Sequence, residues 1–302
     1  MTVCYRPGTD GEPAPGSHEH RGLALVAVLW MVAAFSIMVV GMSAVVLRET
    51  RSTSSTRQAV VLGALGTAAI QMVLQEMKAM PQPVARLSFK DVTFQNQLIR
   101  VEITPLTGLI DINNAPPSLL VKLLLVRGAV DADRALNVAK ATLEMRALKD
   151  PRGAARGFES IEDWLNVPGV DYPLYARVKG VISADLFAVG SGRVNPMAAP
   201  PEVLLVLAGG NAEHARRIAA QRDHGAVGID TTMLDAADID SGTTERFRIA
   251  AWVPVQASAD VSLRVSQTVD LSPIRRESVP WRIFHAQRQF ENTRSKPGIQ
   301  DS

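Results

Sequence analysis

Two groups of residues have types and spacing that bear on chemistry. Asp235, Asp238, Asp240 and Glu245 fall close together and offer oxygen atoms of the kind that suits Ca²⁺. Asp238-Ile-Asp-Ser-Gly242 lacks the spacing of a complete calcium loop, however. A solvated acidic turn is the simpler reading, and no resident metal or other cofactor is expected. The second group is the Val167-Pro168-Gly169 turn, which lies between two helical stretches and can present backbone N–H groups to nucleic-acid phosphate. Glu159, Glu162 and Asp163 precede that turn and only Arg177 and Lys179 are nearby cations, so a packed structural hairpin is favoured and no nucleic-acid partner is expected. Support for catalysis is thinner still. There is no nucleophile elbow, no phosphate loop and no HExxH. The histidines His18, His20, His214, His224 and His285 include no pair at metal-ligand helical spacing, and His214 with Arg217 reads as the polar side of a helix over Glu213–Arg222. Cys4 is the only cysteine, which excludes an intramolecular disulfide and any multi-thiolate zinc or iron–sulfur site.

The elements that must position these residues follow from the distribution of apolar residues. The chain has 302 residues, 47% hydrophobic and 21% charged, with a formal net charge of +2. That composition excludes a disordered or collagen-like chain, and its charge balance is not that of a protein living on nucleic-acid phosphate. Leu23 to Leu47 contains no charged residue and, as a helix, is longer than the roughly 30 Å hydrocarbon core of a bilayer. One membrane-spanning helix is the reading. A secretory signal peptide is its rival, since Ser43-Ala44 resembles a small-residue cleavage site, but the apolar run is longer than the usual ~7–15 residues. A buried helix of a soluble protein rarely runs this long without charge. Local charge does not decide orientation, because Arg6 and Arg21 precede the span while Arg48, Arg51 and Arg57 follow it.

Beyond the span, Val61, Leu62, Leu65, Ala68, Ala69, Met72 and Val73 recur at three- and four-residue spacing until Pro81. One helix from Leu23 to about Met80 is expected, with bends at Gly41, Gly63 or Gly66 and one stripe packed on a water-soluble head. Alternation of apolar and polar residues predicts strands in Leu98–Ile103, Phe247–Val253, Val261–Val265 and around Trp281–Ile283. Residues 109–240 read mainly as short helices, which makes them a helical insertion in a sheet protein.

The insertion contains an internal repeat. Gly108-Leu-Ile-Asp-Ile-Asn-Asn-Ala-Pro-Pro-Ser-Leu-Leu120 recurs as Gly192-Arg-Val-Asn-Pro-Met-Ala-Ala-Pro-Pro-Glu-Val-Leu204. Each Ala-Pro-Pro marks a helix start, because proline has no N–H to leave unsatisfied in a first turn. Leu119, Leu120, Leu123 and Leu124 form one apolar face, Val203, Leu204 and Leu207 the other, and the two faces are expected to pack together. Between the copies, Ile161–Val178 reads as helix, tight turn, helix.

These features carry a family resemblance. The leader ending in Arg21-Gly22 directly before an apolar helix resembles a type IV prepilin cleavage site. The paired Asn/Asp-x-x-x-Ala-Pro-Pro helices and the Val-Pro-Gly hairpin resemble the minor pseudopilin K family of the type II secretion system (general secretion pathway protein K), over nearly the whole chain from Gly22 to about Arg288. The resemblance implies cleavage by the prepilin peptidase between Gly22 and Leu23, with N-methylation of Leu23. It makes Ala27 the fifth mature residue, where most pilins carry Glu and the K subunit does not. The implied fold is α+β: an N-terminal transmembrane helix continuing into a pilin-like α/β head with two inserted SAM-like, helix–hairpin–helix modules. The implied boundaries are a leader at 1–22, a span at 23–47, the amphipathic helix and first strands at 48–107, modules at 108–190 and 191–241, C-terminal strands at 242–288 and a polar tail at 289–302. The implied place is the bacterial inner membrane, single-pass, with a cytoplasmic N-terminus and a periplasmic head. The implied role is a non-enzymatic one, capping the pseudopilus tip with the I- and J-type minor pseudopilins, on a shaft of major pseudopilin. One departure is that Leu143–Gly153, where family members often carry an Asp-rich calcium loop, is largely basic here. A membrane-anchored DNA-binding or uptake module is the alternative from a different class, and an anchored hydrolase a third.

Overall fold

The computed structural model describes residues 20–80, 84–149, 153, 155–186, 191–224, 228–255, 258–272 and 280–292. Most of the expected leader, with Cys4, lies outside them, as do residues 293–302 of the expected tail. The chain forms two compact units, Met1–Ala59 and Val60–Ser302.

Helix α1 is assigned without a break over His20–Ala79. Gly66 marks a close contact with the sheet. A Cβ there would lie 2.6 Å from a Val265 methyl, so the missing side chain admits a strand close against the helix. In the first unit, Leu29, Trp30, Phe35 and Ile37 of α1 are all more than half exposed. Among the described residues, the stretch long and apolar enough to cross a membrane is Arg57–Ala79, with mean hydropathy 1.4, and Val26–Met38 is a shorter apolar run. Half of the 18-residue apolar window within Arg57–Ala79 is buried, as expected of a core helix. The span expected at 23–47 falls partly on residues whose side chains are outside those described.

In the second unit, β1 (Ser88–Phe94), β2 (Gln97–Pro105), β5 (Arg246–Val255), β6 (Ser258–Asp270) and β7 (Arg282–Asn292) form one antiparallel sheet in the order β1-β2-β5-β6-β7. Ile99, Val101, Ile249, Ala251, Val253, Leu263 and Val265 face α1 and close a core with its Leu62, Leu65, Ala69, Ile70, Val73 and Leu74. The period of two along each strand meets the helical period of α1 across one apolar layer. Strand β1 lies within the 48–107 stretch read as holding the first strands, but alternation did not pick it out. It is an edge strand with only Val92 buried, so its alternation is weak, and its turn to β2 uses Gln95-Asn96 at positive φ rather than a glycine. Strand β7 reaches Asn292, four residues into the stretch read as a tail. Its register with β6, which pairs Leu263 with Phe290 and Val261 with Asn292, prolongs it.

Between β2 and β5, neighbours in the sheet, the chain makes a helical insertion. It contains β3 (Ile110–Asp111), α2 (Pro117–Val126), α3 (Ala132–Arg146), a 3-10 helix (Ile161–Asn166), α4 (Tyr172–Val178), β4 (Ile182–Ser183), α5 (Pro201–Leu207) and α6 (Ala212–Asp223). Helices α2 and α5 begin at the second proline of each Ala-Pro-Pro. Asp131, Asp171 and Asn211 cap α3, α4 and α6 by accepting backbone N–H groups of the first turn. The helix expected over 161–166 is 3-10 rather than α, closed by a Ser160/Asp163 capping box and stopped by Pro168.

The two repeats share one hydrophobic core, to which Leu119, Leu120, Leu123 and Leu124 contribute from the first copy and Val203, Leu204 and Leu207 from the second. Leu204 is fully buried. Replacing it with alanine is expected to cost about 3 kcal/mol through lost transfer energy and the cavity left behind. Chemical denaturation measures this, and a midpoint equal to wild type would contradict the shared core.

Candidate functional site

The insertion is organised by its repeat, and equivalent positions meet reciprocally. A Cβ on Gly108 would lie 2.0 Å from the carbonyl oxygen of Ala198, and one on Gly192 would lie 1.9 Å from that of Asn114. Gly108 aligns with Gly192 and Asn114 with Ala198, so each copy presses its glycine onto the same backbone carbonyl of the other. That exchange marks an approximate two-fold relation between the copies. Within each copy the geometry also recurs. Asp111 Oδ1 accepts the Asn113 N–H at 3.0 Å, and Asn195 Oδ1 accepts the Met197 N–H at 3.0 Å. Ile110 pairs in parallel with Ile182, and Val194 with Ile239. Arg146 of α3 donates to the Ala115 carbonyl at 2.9 Å, and Arg222 of α6 donates to the Ala199 carbonyl. Both carbonyls sit just ahead of the helix that follows, whose backbone bonds begin at the Pro116 and Pro200 carbonyls, and an arginine serves each instead.

One difference between the copies matters for electrostatics. The first carries a carboxylate, Asp111, where the second carries the neutral Asn195. Asp111 is only 8% exposed. It accepts hydrogen bonds from the Asn113 N–H, from Asn114 Nδ2 at 2.6 Å and from the Asp185 N–H at 3.2 Å. Burial nevertheless pushes its carboxyl up to about 6, against the pull of those bonds and with help from the neighbouring Asp185 charge. The native state therefore holds a proton at pH values where the unfolded chain has lost it. Stability conferred by this group is present below about pH 4 and is lost as pH rises through about 6, a fall of at most about 3 kcal/mol. Asp270 has the opposite slope, because the Ser272 N–H and hydroxyl and Arg246 outweigh its burial and hold it below the usual carboxylate range. The informative quantity is thus the difference between wild type and Asp111→Asn. Urea unfolding at pH 4.5 and 6.5 should show the variant losing less stability, or gaining more, over that interval. Parallel pH profiles would contradict the buried carboxyl.

The acidic residues read as weak calcium candidates are not assembled as a ligand set. Asp238 is 1% exposed and accepts from the Ser118 hydroxyl at 3.0 Å and from Lys122 Nζ at 2.6 Å. Lys122 also donates to Asp235 at 3.1 Å. Burial works against the Lys122 ammonium, but its bonds to the two carboxylates prevail and raise its pKa. The lysine therefore occupies the place a metal would take, and it ties the end of the second copy to α2. Asp240 is bound elsewhere, accepting from the Ser191 hydroxyl at 2.6 Å and the Gly242 N–H at 2.9 Å. Among the described residues no three His, Cys, Asp or Glu side chains converge as a metal site.

The remaining candidates are dispersed. Gly22 and Leu23 lie in the first turns of α1, and Ala27 is exposed on it. At the Val167–Gly169 turn, Arg134 donates to the Gly169 carbonyl at 3.0 Å and to Asp171 at 2.9 Å. The cation nearest the turn is therefore spent on the protein itself. Arg177 and Lys179 lie toward the other end of α4.

Two features were not anticipated. Arg246, at the chain's return to the sheet, bridges Asp185 of the insertion and Asp270 of β6. A second is a cationic cavity between the insertion and the outer face of the sheet, described below. The repeat alignment already paired Gly108 with Gly192 and Asp111 with Asn195, so that part had a signal. Neither the Arg246 joint nor the cavity has one, because their members come from distant segments.

The chain matches no family model and no curated protein. Its structure is similar to that of a chain in the crystal structure of the GspK-GspI-GspJ complex from the enterotoxigenic Escherichia coli type 2 secretion system. The TM-score is 0.47, with 16% sequence identity over 80% of this chain and 99% of that chain.

Proposed function

We propose that this chain is a K-type minor pseudopilin of a type II secretion system that caps the pseudopilus tip. The observation that carries the reading is α1, one helix from His20 to Ala79. It follows Arg21-Gly22 with an apolar run and ends as the core helix of an antiparallel sheet. Its outward stripe in the second unit, Val61, Ala64 and Met72, is exposed and apolar, as a helix that packs beside other helices requires. The duplicated helical insertion between β2 and β5 supports the reading of two helical modules.

The tip position rests on Ala27. In an apolar bundle of spans an unpaired charge is expensive. The fifth-residue Glu found in most pilins pairs with the N-terminal amine of a neighbouring subunit. Ala27 can neutralise no amine, so this chain suits a position with nothing above it, while its own amine at Leu23 is paired from below. The bulk of the insertion would obstruct a further subunit. In this reading the head is periplasmic, the leader cytoplasmic, and the partners are I- and J-type minor pseudopilins, the major pseudopilin and the prepilin peptidase. No catalytic role and no resident cofactor are assigned.

The decisive experiment is mass spectrometry of the mature protein from membranes. A chain beginning at N-methylated Leu23 is expected. A mature N-terminus beyond Val40 would mean signal-peptidase release of the head and would overturn the reading. Gold labelling of the head should then mark one end of isolated filaments, and label along the shaft would refute the cap.

A further inference from the structure

The second unit holds a cavity of about 220 Å³ between the end of α4 and the outer face of β5, β6 and β7. Its floor is the polar face of the sheet, because side chains alternating with the core positions must point there. Arg127, Arg177, Lys179, Arg248 and Arg264 all line it, against the single carboxylate of Glu291. Glu162 adds a second carboxylate beside the cavity, 3.8 Å from His285 Nε2. Five permanent cations still outnumber the two carboxylates around one small volume and repel one another. The half-buried ones among them, Arg127, Lys179, Arg248 and Arg264, are screened less than they would be in water. The Arg246 joint shows how this chain settles buried charge elsewhere, with two carboxylates on one guanidinium.

The cavity's cations are held in place by the fold rather than neutralised by it. Arg248 donates to the Gly180 carbonyl at 3.0 Å and the Ile182 carbonyl at 2.6 Å. Arg177 donates to the Gly128 carbonyl at 2.8 Å, and Lys179 to Gln289 Oε1 at 3.2 Å. Each of these bonds fixes position and cancels no charge. Arg264 stacks on Trp252 at 5.4 Å and reaches Glu291 only at 3.8 Å. Arg127 Nε is buried at the cavity with no hydrogen-bond partner among the described residues, and His285 Nε2 meets the Glu162 carboxylate only at 3.8 Å. A buried donor left unpaired is costly and calls for an explanation. Burial, followed by the charge of Arg264, pulls Arg248 down to about 10 against the opposing pull of Glu102, Tyr175 and Glu162.

We propose that this cavity is a binding site for a small oxyanion carrying two or more negative charges, of the phosphate or polycarboxylate class. Such an ion offers several acceptor oxygens to guanidinium donors in their preferred bidentate geometry, and its charge offsets the excess. The volume leaves room for the ion and several waters, at about 30 Å³ per water. Bound there, it would bridge the insertion and three strands, joining the duplicated helices to the sheet by a solute rather than by packing alone. This inference does not depend on the pseudopilin reading, since it rests on the cavity alone.

The test uses the full chain in detergent micelles, with inorganic phosphate titrated at constant ionic strength against sodium chloride. Thermal unfolding of wild type is expected to shift upward with phosphate and not with chloride. Citrate should act at lower concentration than phosphate. Arg127→Gln and Lys179→Gln are each expected to raise the phosphate concentration needed for half the shift by about tenfold or more, the loss of one charge-assisted bond. In chloride alone both variants should melt no lower than wild type, because each removes repulsion. Equal midpoints in phosphate and chloride would overturn the site. So would phosphate responses in both variants matching wild type, or both variants melting lower in chloride, which would make these cations props of the fold.

Discussion

Replacing Gly192 with alanine should destabilise the second unit by more than about 4 kcal/mol, beyond the range of ordinary substitutions. Two costs combine. Gly192 has φ +69°, a conformation L side chains rarely adopt, and its Cβ would lie 1.9 Å from Asn114 O, 2.2 Å from Asn114 C and 2.9 Å from Ala115 N. No rotamer change relieves this, because every obstructing atom is backbone. That backbone is itself held between Asp111, whose carbonyl accepts the Asn114 and Ala115 N–H groups, and the start of α2 at Pro117. Gly209→Ala separates the two costs. Gly209 has φ +62° with nothing near its added Cβ, so the variant should lose only the conformational term, about 1–2 kcal/mol. Gly108→Ala meets Ala198 O at 2.0 Å in the reciprocal contact and should approach the Gly192 effect. The two occupy one interface, so the double variant should fall short of additivity. Chemical denaturation of all four variants tests the arrangement, and Gly192→Ala no worse than Gly209→Ala would dismiss the close approach of the copies.

Arg246→Met should cost about 3–5 kcal/mol, the usual result of removing one partner from a buried charge cluster. The side chain is 17% exposed, and its partners Asp185 and Asp270 are 10% and 13% exposed. Methionine keeps much of the length and the apolar contact with Phe284, whose ring lies 5.8 Å from the guanidinium carbon. What it removes is the guanidinium that meets both carboxylates at the point where the insertion returns to the sheet. Asp185 also lies beside the raised Asp111 carboxyl, so the variant gathers acidic groups without their cation. The loss should therefore be larger at pH 7 than at pH 4.5, where carboxyls begin to take up protons. Arg246→Met with Asp185→Asn and Asp270→Asn should recover part of the stability, since no buried anion then lacks a partner. Failure of the triple variant to recover would assign the loss to packing.

Much of this architecture is written in short-range pattern. The apolar run from Leu23, the stripe Leu62-Leu65-Ala69-Val73, the alternation in β2 and β5, and the Pro-Pro starts of α2 and α5 are each legible from neighbours a few residues apart. The internal repeat was legible too, because duplication copies residues in order. β1 was not, since an edge strand buries one residue and leaves little alternation to detect.

What the sequence by itself determined is therefore the inventory: an apolar helix that turns amphipathic, a sheet, and a doubled helical insertion with its glycines and prolines at fixed offsets. Tertiary structure alone decided the pairings. It set β2 beside β5 across the whole insertion and merged two repeats into one core. It put the Lys122 ammonium between Asp235 and Asp238, which the sequence offered as a solvated acidic turn and at most a weak calcium candidate. It buried Asp111 and its neutral counterpart Asn195 alike, and gathered five cations from α4, β5, β6 and the residues that follow α2 and α4 around one cavity. The physical reason is range. Periodicity is set by the repeat of a single helix or strand and is carried locally, whereas the energy of a buried charge depends on which distant residues exclude water from it.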